Sequence, residues 1–335
     1  MPSRPLTEAR RHATHMSPPV TQPPLPPFDV RLTAPDLQPW HSGNTGVEGF
    51  LTREAARDGP HVGLLALMHG NEIAGAIALD QLLRADLRPS RGRLTFGFVN
   101  LEAFARFDPR QPTASRFVDE DINRVWEPGV LDGPRQSSEL ERARAIRPLI
   151  DTMDIVLDLH SMLWPSDPLI LCGTAPQGRA LALGIGVPAL VVADRGHVGG
   201  RRIIDYPCFA EVGRAANLVE AGQHWHPDTV AMSLACVAGL LRHLDMAADE
   251  PPLPPPTRVG QRVATVTEVV TAATSSFAFV QKYRGGDVVA RRHTLIALDG
   301  DREVRTPHDD CLLVMPSLRP SRGHTAVRLA RFDDG

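Results

Sequence analysis

The stretch HVGLLALMHGNEIAGAIALDQLL, residues 61–83, decides the fold. Residues 61–68 are a largely apolar run, which is typical of a strand buried on both faces of a parallel sheet. Residues 72–83 follow with apolar side chains at helical spacing, namely Ile73, Ala76, Ile77 and Leu83. A buried strand that leads into an amphipathic helix is the repeating unit of α/β proteins. The polar turn between them, residues 69–72, therefore follows the carboxyl end of a strand.

The same alternation continues to about residue 250. Further apolar runs predict strands over residues 93–99, 154–159, 168–172, 189–193 and 218–220. Helical spacing predicts helices over residues 138–150 and 229–244. In the first of these, a solvated face is assigned to Glu139, Glu141, Arg142 and Arg144. The pattern predicts an α/β fold with a mainly parallel mixed sheet flanked by helices.

Proline marks the predicted domain boundaries. Residues 1–38 are rich in proline and poor in apolar periodicity, which predicts a disordered tail. Residues 251–256, PPLPPP, predict a stiff linker, because this run can form neither a helix nor a central strand. The α/β domain occupies residues 39–250 between them. Residues 257–335 contain short β-type runs separated by Gly, Asp and Pro, and they predict a small all-β domain.

Composition excludes several classes of protein. The 335 residues include 36 Lys and Arg against 39 Asp and Glu, so the chain lacks the basic excess of a dedicated nucleic-acid binder. No apolar run reaches the ~18 residues that cross a bilayer, and the first residues lack the apolar segment of a secretory signal. We therefore expect a cytoplasmic protein with no nucleic-acid or membrane partner. Lys282 is the one lysine, so an arginine is informative here only through its position.

Three polar segments at the ends of predicted strands carry groups that bind divalent metals. They are HGNE at residues 69–72, DLHS at 158–161 and VEAG at 219–222. Because the carboxyl ends of parallel strands share one edge of a sheet, these segments are expected to converge. Catalytic zinc takes three imidazole or carboxylate ligands and keeps a position for water. The predicted ligands of one zinc ion are His69, Glu72 and His160, which leaves Glu220 as the general base.

The segment RFVDEDINR, residues 116–124, adds groups that suit a carbonyl substrate. Asn123 and Arg124 place an amide beside a planar guanidinium, a pair suited to the capture of a carboxylate. Arg116 can face a carbonyl oxygen that gains negative charge during a reaction. Asp121 can accept a hydrogen bond from a ligand histidine. The alternative interpretation of this segment is a charged surface loop.

These motifs, in this order, resemble the succinylglutamate desuccinylase/aspartoacylase family of the wider zinc-carboxypeptidase-like superfamily. The resemblance rests on HGNE, RFVDEDINR, DLHS and LVEAGQH and spans about residues 58–330, since that family also carries a small β domain. It implies one zinc ion per chain and hydrolysis of the amide bond of a small N-acyl amino acid. Position by position, it implies zinc binding by His69, Glu72 and His160, acid/base catalysis by Glu220, polarisation of the carbonyl by Arg116, and capture of a carboxylate by Asn123 and Arg124.

The family's variable substrate loop corresponds here to residues 199–206, GGRRIIDY. The resemblance makes Arg202 and Tyr206 candidate substrate-binding residues of this loop. The aspartoacylase branch carries an arginine ten residues before its catalytic glutamate, a position occupied here by Ala210. Arg214 is a candidate replacement. The acyl group stays open, because acetyl, succinyl and aspartyl groups all suit the same catalytic residues.

Two other functions are compatible with these residues. A metallocarboxypeptidase that trims short peptides uses the same metal and base, but it needs an open cleft where a β domain would otherwise cover the site. A non-catalytic zinc- or ligand-binding protein on a hydrolase scaffold would keep the metal ligands without turning over a substrate.

Overall fold

One mixed sheet of eleven strands runs through a computed structural model that describes residues 25–196, 199–247 and 252–333. The helices are α1 (Ile73–Arg84), α2 (Leu101–Phe104), α3 (Pro128–Leu131), α4 (Ser138–Ile150), α5 (Pro176–Ile185) and α6 (Pro227–His243). The strands are β1 (Phe50–Glu54), β2 (His61–Ala66), β3 (Arg93–Phe98), β4 (Ile155–Met162), β5 (Leu169–Leu171), β6 (Leu190–Ala193), β7 (Ala215–Gln223), β8 (Arg262–Thr271), β9 (Phe277–Phe279), β10 (Val288–Val289), β11 (Leu295–Asp299), β12 (Arg302–Arg305), β13 (Cys311–Val314) and β14 (Thr325–Phe332). Within these residues, no helix combines the length and the apolar character needed to cross a membrane.

The strands of the large sheet lie in the order β1-β3-β2-β4-β7-β5-β6-β8-β14-β13-β10. β3, β2, β4 and β7 are parallel neighbours, so their carboxyl ends share one edge. β5 is antiparallel to β7, and β6 and β8 continue in the direction of β5. β1 and the strands beyond β8 pair antiparallel with their neighbours. The α/β part therefore has the predicted mixed, mainly parallel sheet.

The two faces of the sheet are covered by different elements. One face packs on α1, α5 and α6, through buried side chains that include Leu79, Leu181 and Leu240. The other face packs on α4 and on short helical turns, through buried side chains that include Leu140, Ile203 and Phe209. Alternate residues of a strand share a face, and Ala216 and Leu218 of β7 belong to the second core. Glu220 therefore projects on the second face, the one covered by α4.

The all-β part of the chain is continuous with the α/β sheet. β8 pairs in parallel with β6, from Leu190 opposite Arg262 to Ala193 opposite Thr265. β14, β13 and β10 extend the sheet further. A second sheet, β12-β11-β9, packs against this extension across a core of buried apolar side chains. The predicted β elements are present. They share a sheet with the α/β part, because β8 pairs with the edge of β6 that would otherwise be free.

The region of the predicted linker packs against α6. Residue 251 lies outside the described residues. Leu253 is buried in the core beneath α6, and Arg242 of that helix donates a hydrogen bond to the Pro254 carbonyl over 2.6 Å. The segment therefore guides the chain from α6 to β8 along the protein surface.

α4 has the predicted bounds, but the prediction that its charged residues face solvent is wrong for Glu139, Arg142 and Arg144. Glu139 is 1% exposed. Arg142 and Arg144 donate to backbone carbonyl groups, those of Glu48, Phe98 and Val99 and those of Leu131, Gly133 and Arg135. Buried backbone groups of irregular segments need such partners. A sequence pattern shows that a residue is charged. It does not show that this residue donates hydrogen bonds to a loop that is distant in the sequence.

The sequence pattern missed β1 and three helices, α2, α3 and α5, and it made β7 too short. β1 is an edge strand in which Phe50 is the one buried residue, so its periodicity is weak. α5 contains Gly178, which lowers the helix propensity of this segment. The glycine is needed in the folded protein, because a Cβ at this position would lie 2.3 Å from the Cys172 carbonyl oxygen. β7 is longer than the strand predicted over residues 218–220, because it also includes the polar residue Asn217. This side chain is buried and donates a hydrogen bond to the Gly178 carbonyl over 2.9 Å.

Part of the predicted tail contacts the α/β domain. Residues 1–24 lie outside the described residues, whereas residues 25–38 have defined contacts. The Phe28 ring packs edge-on against Trp164 and Trp225, with centroids 5.7 and 5.5 Å away. Leu37 is also buried. These apolar side chains explain why this segment differs from the predicted disorder, since the prediction weighed its prolines and not its anchoring residues.

Removal of the β domain is expected to destabilise the α/β domain. A chain that ends at residue 256 loses β8, so β6 becomes an unpaired edge and the second core loses Ala264, Leu312 and Ala330. We expect the truncated protein to aggregate or to lose cooperative unfolding, which size-exclusion chromatography and thermal denaturation will detect. A soluble truncated monomer with the melting temperature of the full chain would contradict this prediction.

Candidate metal centre and active site

The carboxyl ends of β2, β4 and β7 bring the three polar segments together. His69 and Glu72 lie in the turn between β2 and α1, and His160 lies near the end of β4. Glu220 is opposite His160 in the register of β4 and β7. Leu67 has a φ of +59°, an unfavourable backbone conformation for a branched side chain. This strained residue turns the chain out of β2 just before His69.

Gly70 allows a second loop to approach this turn. A Cβ at this position would lie 2.4 Å from the Phe104 backbone nitrogen and 2.6 Å from the Ser115 carbonyl oxygen. Gly70 also donates its backbone N–H to the Arg116 carbonyl over 3.1 Å. The glycine is thus needed for close backbone packing, which brings the loop of residues 116–124 beside the metal-ligand candidates.

Three buried side chains form a cluster that can hold a metal ion. His69, Glu72 and His160 are at most 4% exposed, and one ligand atom from each lies within 4.8 Å of the others. The Glu72 carboxylate lies between the two imidazoles. Its Oε1 is 2.7 Å from His69 Nδ1, and its Oε2 is 3.0 Å from His160 Nδ1. Two imidazoles and one carboxylate form a common donor set of catalytic zinc sites.

Each imidazole turns its second nitrogen towards another carboxylate. His69 Nε2 is 2.9 Å from Asp121 Oδ1, the contact predicted for Asp121 from the sequence. His160 Nε2 is 2.7 Å from Asp158 Oδ2. Such carboxylates fix the ring orientation and leave Nδ1 to face a metal. The role of Asp158 was missed, although its position two residues before His160 on one strand face was a usable signal.

Opposite charges hold the buried cluster together. Burial alone would raise the pKa of Glu72, but His69 and His160 hold that pKa well below its usual value. Burial alone would lower the pKa of His160, but Asp158 and Glu72 raise that pKa well above its usual value. In the metal-free protein His160 is therefore protonated at neutral pH.

Glu220 has the environment of a general base. It is 6% exposed, and its Oε2 is buried without a hydrogen-bond partner among the described residues. Burial, followed by the charge of Glu72, raises the pKa of Glu220 to about 8, against the opposing effects of His160 and Arg116. A carboxylate whose pKa lies near the working pH can both accept and return a proton.

Arg116 reaches the cluster from the neighbouring loop. Its Nη1 donates to Glu72 Oε1 over 3.2 Å, and its Nη2 donates to Asp121 Oδ2 over 3.3 Å. Its Nη2 also lies 3.0 Å from His69 Nε2, and 37% of its side chain remains exposed.

Glu139 of α4 anchors the loop that carries Arg116. Its carboxylate accepts backbone hydrogen bonds from Val118, Asp119 and Glu120 over 2.6–3.1 Å. It also accepts one from Asn100 Nδ2 over 3.0 Å. Four donors on one buried carboxylate fix the path of the loop directly after Arg116.

Asn123 and Arg124 occupy the same loop in different environments. Asn123 is 2% exposed, with its Oδ1 accepting from the Ile203 backbone N–H over 2.8 Å and its Nδ2 lying 3.4 Å from His160 Nε2. Arg124 is partly exposed, and its Nη1 donates to the Asn123 carbonyl over 2.7 Å. Burial, with Arg116 and Arg328 nearby, lowers the pKa of Arg124 despite Asp121. Of this pair, Arg124 is the group more available to a substrate.

Arg202, a predicted substrate-binding residue, is engaged by two carboxylates. It is 2% exposed. Its Nε and Nη2 donate to Asp205 over 2.7 and 3.0 Å, and Nη1 donates to Asp194 over 3.2 Å. Its Nη2 donates to Asp194 as well. Every nitrogen of the guanidinium therefore has a protein acceptor, and four of its five N–H groups are engaged.

Tyr206, the other predicted loop residue, makes its hydrogen bond and its ring contact with residues outside the metal cluster. Its hydroxyl accepts from Arg147 Nε over 3.0 Å, and its ring packs edge-on against Trp126. Tyr206 lines a cavity of about 520 Å³ together with Asp205 and Ala210, and none of the metal-ligand candidates lines it. The sequence could not separate these two sides of the loop.

Arg214 does not replace the arginine missing at position 210. Its Nη1 donates to the Asp151 carbonyl over 3.0 Å, and its Nε pairs with Glu211. Both contacts stabilise the turn before β7. This turn lies at the amino-terminal end of β7, whereas Glu220 lies near its carboxyl end.

A buried histidine beside the cluster was not predicted. His224 is 2% exposed, and its Nδ1 lies 2.8 Å from the Ser161 hydroxyl, while the Ser161 backbone N–H donates to Glu72 Oε2 over 3.0 Å. Burial, with Arg116 and the two ligand histidines, lowers the pKa of His224 to about 4, so the ring is neutral at pH 7. The sequence signal for this residue is the HWH segment, residues 224–226, which directly follows the Glu220 motif.

A comparison with protein families identifies the chain. The model of the succinylglutamate desuccinylase/aspartoacylase catalytic domain matches residues 58–244. The chain belongs to the succinylglutamate desuccinylase/aspartoacylase family. The match includes every site residue predicted from the sequence and ends before the β domain.

Solved structures of this family share the fold. A succinylglutamate desuccinylase from Vibrio parahaemolyticus is 15% identical, with a TM-score of 0.63 over 86% of this chain and 87% of that chain. A succinylglutamate desuccinylase/aspartoacylase from Rhodobacter sphaeroides is 21% identical, with a TM-score of 0.64 over 85% and 89%. An aspartoacylase family protein from Mesorhizobium loti is 17% identical, with a TM-score of 0.59 over 85% and 89%. None of the curated proteins compared matches the chain significantly.

Loss of the Glu139 anchor is expected to impair both stability and the site. Glu139→Ala leaves three backbone N–H groups and Asn100 without their acceptor, so the free energy of unfolding should fall by about 2–4 kcal/mol. Turnover should fall with it, because the loop with Arg116 is released. Glu141→Ala is the matched control, since Glu141 is exposed on the same helix. Equal melting curves and equal turnover for the two variants would rule out the anchor.

Metal binding is expected to release protons. His160 is protonated in the metal-free protein and Glu220 has a pKa of about 8, and a metal favours the deprotonated form of both. Zinc binding at pH 7 should release about one to two protons, and the affinity should fall as the pH is lowered. Calorimetry in buffers of different ionisation enthalpy measures this number. Glu220→Gln should reduce it by up to about one, and release of no protons by the native chain would contradict the assignment.

Proposed function

We propose that this protein is a zinc-dependent amidohydrolase that deacylates a small N-acyl amino acid or a related amide. The observation that carries the proposal is the buried cluster of His69, Glu72 and His160, with Glu220 on the adjacent strand. Membership of a family of hydrolases supports it.

The residues of the cluster fit a zinc ion. Both imidazoles have carboxylate acceptors on their far side, which favours metal binding through Nδ1. Asp158 Oδ1 and Glu220 Oε2 are buried, and neither has a hydrogen-bond partner among the described residues. Buried carboxylate oxygens are costly unless a cation or a water satisfies them. When bound, zinc would polarise a carbonyl group and lower the pKa of water.

Glu220 carries the proton transfers of the proposed reaction. It removes a proton from the attacking water, and it later delivers that proton to the amine nitrogen as the amide C–N bond breaks. The products are a carboxylic acid and a free amine. Burial raises the pKa of Glu220. A divalent cation held by His69, Glu72 and His160 would oppose that shift, so that Glu220 would be ionised and able to act as a base.

Two arginines of the loop hold the substrate in this proposal. Arg116 stands beside Glu72 with a partly exposed side chain, where it can stabilise negative charge on the carbonyl oxygen. Arg124 takes the carboxylate of the amino acid. Asn123 places this loop against Ile203 and directs its amide nitrogen towards His160.

The test is Glu220→Gln in the zinc-loaded protein. The glutamine keeps the size of the side chain but cannot accept the proton, so kcat should fall about 100- to 10,000-fold. Zinc content should be unchanged, because Glu220 is not one of the predicted ligands. Mass spectrometry with a panel of N-acyl amino acids measures turnover, and metal analysis measures zinc. Glu211→Gln is the control, because Glu211 is exposed in the loop before β7.

Near-native turnover by Glu220→Gln would overturn the assignment of the base. Removal of carboxy-terminal residues from short peptides, without hydrolysis of N-acyl amino acids, would favour a metallocarboxypeptidase. One bound zinc ion per chain with no turnover of either substrate class would favour a non-catalytic binding protein.

A further inference from the structure

A bulge interrupts the pairing of β4 and β7 directly after the candidate metal ligand His160. His160 lies opposite Glu220, and Met162 lies opposite Gln223, so the single residue Ser161 of β4 faces two residues of β7. Bulges are rare in parallel pairs of strands, and they occur preferentially beside active sites, where they redirect a side chain. The bulge therefore sets the position of Ser161 relative to the metal cluster.

Ser161 connects this bulge with the Glu72 carboxylate. Its backbone N–H donates to Glu72 Oε2 over 3.0 Å, and the same oxygen lies 3.0 Å from His160 Nδ1. The Ser161 hydroxyl lies 2.8 Å from Nδ1 of His224. The backbone of Ser161 thus orients one oxygen of a candidate metal ligand, while its side chain is fixed by the segment that follows β7.

His224 is itself held firmly in the turn between β7 and α6. Its backbone N–H donates to the Met162 carbonyl over 2.9 Å, which closes the bulge. Its ring packs edge-on against Trp225, with centroids 5.1 Å apart, and both rings are buried. Since the ring is ordered by these contacts, it can orient the Ser161 hydroxyl with little further loss of conformational entropy.

Trp225 extends these contacts to the backbone beside Glu72. Its Nε1 donates over 3.1 Å to the carbonyl of Asn71, the residue before Glu72. Its other neighbour is the Phe28 ring, with centroids 5.5 Å apart. The turn after β7 therefore holds Glu72 in two ways, through the backbone of Asn71 and through the hydrogen bond from Ser161.

Gly222 and α6 fix the backbone of this turn. Gly222 has a φ of +139°, a conformation that favours glycine. A Cβ at this position would lie 2.8 Å from Thr229 Oγ1. The same hydroxyl, in the first turn of α6, donates to the Gln223 carbonyl over 2.6 Å. The position of His224 is thus determined by α6 as well as by β4.

We propose that His224 is a positioning residue of the metal centre, which holds Glu72 in its metal-binding orientation through Ser161. The inference rests on the proposed function, in which Glu72 is a zinc ligand. His224 lies outside the cluster of candidate ligands, so it acts through the serine. Partners that restrain a metal ligand raise the metal affinity, because a ligand that is already oriented loses less freedom on binding. A ring that only filled space would need no hydrogen bond at Nδ1.

The first measurement is the zinc affinity of the full chain, in competition with a chromogenic chelator. His224→Phe keeps an aromatic ring but loses the hydrogen bond to Ser161, so the affinity should fall about 10- to 100-fold. Ser161→Ala removes the same hydrogen bond and should weaken binding to a similar degree. The double variant should bind zinc about as tightly as either single variant, because the two substitutions remove one shared interaction.

His224→Asn tests whether the hydrogen bond or the ring is responsible. The asparagine side chain keeps a hydrogen-bonding atom at about the distance of Nδ1 from the backbone. Its zinc affinity should therefore stay within about fivefold of the native value.

The second measurement is the visible absorption spectrum of the cobalt-loaded protein, which reports the geometry of the metal ligands. His224→Phe and Ser161→Ala should shift its bands, and His224→Asn should restore them. His226→Phe is the matched control, because the His226 ring caps α6 by accepting from the Asp228 N–H over 3.3 Å. This control should lower the melting temperature without changing the zinc affinity or the cobalt spectrum.

Native zinc affinity and a native cobalt spectrum in both His224→Phe and Ser161→Ala would overturn the proposal. Equal losses in His224→Phe and His224→Asn would also overturn it, because they indicate packing of the ring. If His224→Phe does not fold, as judged by its melting curve, Ser161→Ala decides.

The same measurements separate this proposal from the proposed function. A native chain that binds zinc but turns over no substrate would overturn the proposed function alone, and the zinc affinities of the variants would still decide the role of His224. A native chain that binds neither zinc nor cobalt would overturn both.

Discussion

The Glu72 carboxylate is the group on which the candidate site depends. It lies between the imidazoles of His69 and His160, and it also accepts hydrogen bonds from the Ser161 backbone N–H and from Arg116. These donors come from the turn after β2, from β4 and from the loop of residues 116–124. A buried carboxylate without partners would cost several kcal/mol, so the three segments are held where they can satisfy it.

The sequence predicted this centre because its signals are local. An apolar run marks β2, helical spacing marks α1, and the turn between them carries His69 and Glu72 within four residues. Since parallel strands place their carboxyl ends on one edge, the ends of β4 and β7 could be brought beside this turn without knowledge of any side-chain contact. The hydrogen bond between Asp121 and a histidine of the cluster could also be predicted, because Asp121 stands in a short polar loop where a carboxylate has few alternative roles.

The sequence is least informative about charged residues whose partners are distant in the sequence. Arg202 looks like a substrate ligand until its contacts with Asp194 and Asp205 are known, and Glu139 looks solvated until the loop that it anchors is known. Asn123 meets Ile203, 80 residues further along the chain. Periodicity shows which face of an element carries a charge, but it does not show what is folded over that face. Arginine is especially ambiguous, because its long apolar stem and planar fork suit buried contacts as well as solvent.

The proline-rich segment at residues 251–256 predicts a boundary, and the sheet shows why that boundary does not separate the two parts structurally. β6 is short and would expose its edge, so it pairs with β8, and this pairing sets the register of β14 through β8. Register fixes the face on which each side chain projects. Arg328 of β14 therefore reaches Asp194, which directly follows β6, as a consequence of strand pairing. The change in composition therefore marks a change from α/β to all-β structure within one continuous sheet, in which β14 contributes an ion pair to a residue of the α/β part.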